Sequence, residues 1–495
     1  MYFPEKISQL LGISIIKVIP FLDSRFAAFC GICVALWTAC LHQSFFENPT
    51  AISRQNFLHS LAVKSMWHID DYHENTPDKA FANGHYYSDK APGVSFLMLP
   101  FYWSGARILK AVGHDLESKN AWFILSWICA ATLLAPSLGI ATWIAVKTLE
   151  KIYGQAIAWL TTGSVLLGGM PLIYSTVLFS HGLVVACLVV AACCLRVFGG
   201  EDGPDKKDLV IAGFCLGTAL ASEYTSGLTV VALSCWGVWK LKLKAFKCIS
   251  IGAAVPLASI AFYSWKTIGH SLQLPYSYQA SFPGMQEGLY GIRLPSLKLA
   301  WILLFSPERG LFFWSPVLLT ALVGFGFLFR ARPKLTLFCY GCILVQVVVM
   351  SGREFEWLAG VSFGPRYLAP ILSFFIPAVA EAARRHGKVV AALGALGIAM
   401  AGFAVLTHPM SYGERDPFRE VLLNAFLDGK LAPTVWSLLG LSRGDGFIVH
   451  YSLLLAFTAG LYLLAVWRTQ TSDVANNNCA QEVNNMCDKS SLMTV

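Results

Sequence analysis

Charge is scarce in this chain. Aspartate, glutamate, lysine and arginine make up 13% of its 495 residues, about half of the roughly 25% found in a soluble domain. No G-x-G-x-x-G phosphate loop or Cys-x-x-Cys metal pattern occurs in a strand–turn–helix setting, which removes the usual nucleotide-binding readings. Asn-x-Ser/Thr is absent from the largest polar loop, so glycosylation gives no mark of sidedness there. No internal repeat links the two halves, and polar residues do not gather midway through apolar segments, both of which speak against a secondary transporter. The N-terminus has no cleavable signal pattern, so the first apolar segment is expected to direct insertion.

Apolar residues supply what charge does not. They make up 56% of the chain, and the mean hydropathy is +0.57. Apolar segments recur at 26–41, 122–146, 156–173, 182–195, 209–220, 228–239, 249–262, 312–329, 338–350, 368–379, 389–406 and 452–467. Several reach the ~20 residues needed to cross ~30 Å of hydrocarbon, and the others need flanking residues to do so. The fourteen cysteines are scattered mostly through these segments as small hydrophobes; Cys479 and Cys487 lie in the polar tail.

Short basic connections give the orientation. Lys147/Lys151, Arg196/Lys206/Lys207, Lys240 to Lys247, Arg330/Arg332/Lys334 and Arg384/Arg385/Lys388 are expected on the cytoplasmic side, with Lys6 and Lys17. The polar stretches 44–93, 266–310, 351–366 and 407–447 then face outward. Net charge is +8, and topology accounts for it without a nucleic-acid partner. The expectation is one all-α polytopic membrane domain over 1–468 with about 12 transmembrane helices, followed by a disordered cytoplasmic tail at 469–495. The stretch 94–112 breaks the alternation: either it lies at the interface, or it crosses and 122–146, which carries Pro136, does not cross simply.

The first outward loop holds the densest chemistry, HIDDYHENTPDKAFANGHYYSDKAPG from His68 to Gly93. Asp89 and Lys90 stand directly before an apolar segment, where unpaired charge is costly. Pro92 stiffens that step. A fixed lysine at headgroup level suits a lipid phosphate, and Tyr86 and Tyr87 can hydrogen-bond there with their rings in the interface. Asp70 and Asp71 form a second cluster. Either is suited to take a proton from an attacking hydroxyl, or to hold a divalent cation together with His68 and His73. Solubility alone explains any one of these acids equally well. Further on, Glu223 and Tyr224 interrupt apolar sequence at an outer turn. Arg309, Arg353 and Arg366 lie at outer segment ends, where arginines converge on phosphate or simply anchor a helix.

These words resemble the membrane-integral GT-C glycosyltransferases, in particular the aminoarabinose, mannosyl and arabinosyl transferases that use polyprenyl-phosphate sugars. The likeness rests on one crossing followed by a large external loop and many crossings, on NGHYYSDKAPG at 83–93, and on SPERGLFFWSP (306–316) and GVSFGPRYLAP (360–370). It implies a GT-C-like fold over about 20–470 and inverting transfer of a sugar to a hydroxyl on a glycan, lipid or protein at the periplasmic face of the inner membrane. Lys90 takes the donor-phosphate position, with Arg309, Arg353, Arg366 and Tyr87 as further phosphate ligands. Relatives often place an aspartate straight after the first crossing; this chain has Glu47-Asn48-Pro49. The base is therefore expected at Asp70, then Asp71, with Glu47 as the positional substitute. A divalent metal ion is an open addition. The competing expectations are a polysaccharide polymerase or ligase using a pyrophosphate-linked donor, and a transporter or lipid flippase.

Overall fold

The computed structural model describes residues 24–41, 48–199, 203–286, 290–353, 362–407, 416–457 and 459–460. Glu47 and the 469–495 tail lie outside them. Among the described residues the chain is helical apart from one two-stranded hairpin.

Among the described residues four stretches are long and apolar enough to cross a membrane: Lys119–Tyr153, Ala245–Ile268, Pro333–Met350 and Arg366–Leu406. Four shorter apolar helices accompany them: Ala27–Ala39, Gln155–Leu167, His181–Cys194 and Pro316–Ala331. We number the helices used below α1 (Ser24–Ala39), α2 (Pro49–Lys64), α3 (Gly93–Ala111), α4 (Lys119–Tyr153), α5 (His181–Cys194), α6 (Lys206–Ser222), α7 (Gly227–Ile268), α8 (Pro333–Met350) and α9 (Leu372–Leu406). Every residue of α5 is buried, as expected of a central helix that is apolar on all sides.

Two of the basic connections fall at bends in the helices. Helix α9 breaks at His386 (φ −130°, ψ 43°), inside the Arg384–Lys388 run. In α7, a Cβ on Gly237 would lie 3.2 Å from Ile249 Cδ1. A straight helix would hold residues twelve apart at a separation of about 18 Å, so the chain doubles back near Lys240–Lys247. The ambiguous 94–112 stretch is a separate 19-residue helix, α3, while 119–153 forms one span containing a widened turn at Ala130–Leu134 just before Pro136. Two Cys-x-x-Cys spacings, Cys30/Cys33 and Cys339/Cys342, lie within apolar helices α1 and α8 and are free thiols.

Over residues 48–93 the polar stretch before α3 is mostly ordered structure. Helix α2 starts where Asn48 accepts the Ala51 N–H at 3.0 Å and Pro49 occupies the first turn, a position that needs no N–H. It ends at Ser65 in the left-handed region. Several polar side chains of α2 are buried and hydrogen-bonded: Gln55 Nε2 donates to Trp122 O at 2.7 Å, and Asn56 Nδ2 donates to Tyr72 O and Asn75 Oδ1 at 3.0 and 2.8 Å. The strands β1 (Lys79–Ala82) and β2 (His85–Ser88) pair antiparallel. Between them Asn83 and Gly84 both take positive φ, the mirror-image turn that matches strand twist.

Gly93 then fixes where α3 begins. A Cβ there would meet Ala221 C and O at 2.7 Å, so only glycine lets α3 start against the end of α6. Gly93→Ala is expected to cost about 1–3 kcal/mol through overpacking, read as a lowered thermal midpoint in detergent.

Candidate functional site

That contact brings the end of the hairpin against the α6–α7 turn, and Lys90 becomes the hub of a buried charge cluster. Its Nζ lies 3.0 Å from Asp78 Oδ2 and 3.3 Å from Asp89 Oδ2, with the three side chains 9%, 12% and 0% exposed. Thr50, in the first turn of α2, donates to Asp78 Oδ2 at 2.7 Å. Gln279 Nε2 reaches Asp89 Oδ2 at 3.4 Å and Pro77 O at 3.1 Å. The Lys90 ammonium also faces the Tyr276 ring at 5.6 Å.

The two carboxylates are driven apart in acidity. Burial raises both, but at Asp78 the Lys90 charge, the Thr50 hydrogen bond and nearby Arg366 outweigh it and hold the group below its ordinary value. At Asp89 burial prevails, helped by Asp78, and the carboxyl is pushed up to about 6. Burial opposes the Lys90 charge, yet Asp78 and Asp89 together raise its affinity for the proton. A carboxyl raised on folding binds its proton more tightly in the folded state. Its contribution to stability is therefore greatest below about pH 4 and is lost as pH rises through about 6. Replacing Asp89 with Asn is expected to flatten the fall in thermal midpoint between pH 4 and 7.

A second buried set lies beside it. Arg54 Nη2 donates to Ser180 Oγ at 3.0 Å, and Ser180 Oγ donates to Glu223 Oε2 at 3.0 Å. Arg54 and Glu223 stand 3.8 Å apart, and His181 Nε2 is 3.9 Å from the same carboxylate oxygen. Thr225 Oγ1 adds a hydrogen bond of 3.3 Å to Glu223 Oε1. Arg366 joins this region to the first: its Nη1 reaches Thr50 Oγ1 at 3.4 Å and its Nη2 reaches Tyr367 OH at 2.9 Å. Arg353 and Arg366 each lie 4.8 Å from the centre of the Tyr367 ring. Arg309 donates to Ser362 O and Oγ at 2.6 and 2.8 Å.

The structure thus gathers Lys90, Asp89, Glu223, Arg366 and Arg353 from four separate parts of the chain. Tyr224 packs against Tyr276 at 5.5 Å next to them, and Tyr87 is buried in β2. Asp70 and Asp71 have other partners. Asp70 Oδ2 is 2.6 Å from His85 Nδ1 and 3.1 Å from His68 Nδ1, while its Oδ1 accepts the Tyr86 N–H at 2.7 Å. Asp71 pairs with Lys64 at 2.8 Å on the surface. His73 stacks on Tyr86 with centroids 4.0 Å apart, and its carbonyl accepts from Lys79 Nζ at 2.7 Å. Among the described residues the metal-compatible group is therefore His68, Asp70 and His85, whose donor atoms all lie within 4.8 Å of one another. Asp71 and His73 are not part of it.

Asp78, Thr50, Arg54, Ser180, His181 and Gln279 enter the cluster without having been singled out from the sequence. Arg54 carried no clear signal, since it sits in a helix rich in polar residues whose burial only the fold reveals. Gln279 and Ser180 carried none.

No protein-family model and no curated protein matches the chain. Among solved structures it is similar to the crystal structure of ArnT from Cupriavidus metallidurans bound to undecaprenyl phosphate. The two are 12% identical with a TM-score of 0.47, covering 88% of this chain and 74% of that one. The apo crystal structure of the same protein gives 14% identity and a TM-score of 0.46 over the same shares.

Proposed function

We propose that the chain is an inverting GT-C-type glycosyltransferase that moves a sugar from a polyprenyl-phosphate donor to a hydroxyl acceptor at the outer, periplasmic face of an inner membrane. About twelve crossings belong to this reading, as do the outward placement of 44–93 and a glycan, lipid or protein acceptor. The observation that carries it is Lys90, a buried cation held by Asp78 and Asp89 at the mouth of α3, with Arg366 linked to Asp78 through the Thr50 hydroxyl.

Direct displacement at an anomeric carbon needs two things in one place. Charge grows on the departing phosphate, and preorganised cations there supply the larger electrostatic term. In this reading Lys90, Arg366 and Arg353 meet the phosphate, with Arg309 shaping the 362–366 segment through Ser362. The acceptor hydroxyl must also lose a proton to a nearby carboxylate. We assign that role to Asp78, which is held ionised and retains some exposure, with Asp89 as its buried partner. Asp70 and Asp71 are given supporting roles in the loop, and Glu47 stays a candidate base by sequence position. The donor class is argued from the lysine and arginines in a membrane protein; a pyrophosphate-linked donor would meet the same cations.

The buried Arg54–Ser180–Glu223–His181 chain favours a second reading, transport, because ionisable groups between apolar helices commonly line translocation paths. One experiment separates the two. Purified protein in nanodiscs is given a polyprenyl-phosphate sugar and a simple hydroxyl acceptor, and free lipid phosphate and glycosylated product are followed together. Stoichiometric release of both supports transfer. Passage of a solute across sealed vesicles with no bond cleavage overturns it.

A further inference from the structure

We propose that His68, Asp70 and His85 bind a divalent cation of the zinc class, and that this cation braces the hairpin whose end carries Lys90. The inference does not depend on the transferase reading.

Two imidazoles converge on one carboxylate oxygen. His85 Nδ1 and His68 Nδ1 lie 2.6 and 3.1 Å from Asp70 Oδ2, and the rings stack with centroids 4.5 Å apart at 18°. His85 Nδ1 makes a hydrogen bond to that oxygen. His68 Nδ1 does not, although it lies 3.1 Å from the same oxygen: the nitrogen is buried and lacks a hydrogen-bond partner among the described residues. A shared cation gives the His68 nitrogen a partner.

The donor spacing fits, and a turn of the near-parallel rings brings both nitrogens onto one cation. Zn–N and Zn–O bonds of about 2.0–2.2 Å in a tetrahedron put neighbouring donors about 3.4 Å apart. The 3.1 Å contact is already near that value, and the 2.6 Å contact lengthens once the cation replaces the shared proton. The other Asp70 oxygen is fixed by the Tyr86 N–H at 2.7 Å, the kind of outer partner that orients a metal-bound carboxylate. Two imidazoles and one carboxylate suit zinc, cobalt, nickel or copper, whereas magnesium and calcium take sets made of oxygen. The side chains of His68, Asp70 and His85 are 26%, 32% and 48% exposed, which leaves an entry path and a fourth position for water.

The bond lines cross the loop. His68 precedes the 70–75 turn and His85 opens β2, which runs directly into Ser88, Asp89 and Lys90. A cation here ties the two ends together and holds β2 in register, so these are positioning residues with no contact to a reacting group.

The test uses the full chain in nanodiscs, stripped with a chelator, in a Cys479→Ser/Cys487→Ser background that removes the tail thiols. Zn²⁺ alone is titrated by calorimetry, and Co²⁺ alone by visible absorption. One equivalent of zinc, cobalt bands typical of a four-coordinate site, and a thermal midpoint raised by several degrees are expected. His68→Ala/His85→Ala and, separately, Asp70→Asn should weaken binding at least ten-fold, while Asp71→Asn and His73→Ala should leave it unchanged. Asp70→Asn guards against misfolding, since it keeps the side chain's shape. Absence of the one-equivalent event, equal binding by the variants, or equal occupancy by Mg²⁺ would overturn the proposal.

Discussion

Lys90→Ala should lose product formation by about 10²–10³-fold, the scale expected when one main electrostatic contact to a developing charge is removed. The same change should destabilise the fold by about 3–5 kcal/mol, because two buried carboxylates are left without their cation. These effects can be separated. Adding Asp89→Asn to Lys90→Ala removes one of the stranded charges, and Asp78 still accepts from Thr50. The double variant should regain most of the thermal midpoint and none of the activity. Donor-binding and turnover assays on both variants decide the matter. If activity returns along with stability, Lys90 is a structural cation and the proposed phosphate role is wrong.

Glu223→Ala should be the most damaging change away from Lys90. Arg54 and Glu223 are 1% and 7% exposed in their side chains, so removing the acid strands a guanidinium in the interior, again a loss of about 3–5 kcal/mol. Glu223→Gln keeps an acceptor for the Ser180 hydroxyl and should cost less. Replacing both partners at once, Arg54→Met with Glu223→Leu, should restore stability, since a well-packed apolar pair often matches a buried ion pair. Thermal unfolding of the four proteins gives the order. A double replacement no more stable than Glu223→Ala would mean that the pair is held by more than its charge.

Much of the helical frame was legible because apolar length and basic turns are strong signals. The bends at Lys240–Lys247 and at His386 fall where lysine and arginine cluster. Lys90 was legible for a similar reason: charge next to an apolar run demands a partner. Its partners were harder to read. Asp78 looks like any loop acid, and only the Asn83–Gly84 turn, which returns β2 against β1, brings Ser88–Lys90 back to it. That turn has its own sequence mark, Asn-Gly between two short strands. Asp70 and Asp71 are adjacent in sequence yet differ in environment, since a one-residue step around the 70–75 turn sends one towards the histidines and the other towards Lys64. Gln279 comes from a loop almost two hundred residues away, and no local pattern could announce it.

The hairpin has one more consequence. A two-stranded ribbon normally exposes unpaired backbone groups along both sides and invites a third strand. Here the outer side of β2 gives its Tyr86 carbonyl to Ile69 N–H at 2.7 Å, and the outer side of β1 gives its Lys79 carbonyl to Ala280 N–H at 2.9 Å, with Ala80 bridged to Gln279. Both sides are thus occupied at these points by the chain's own backbone. An extended peptide has no continuous free edge here to join by strand addition, so selection of whatever docks at this face falls to side chains.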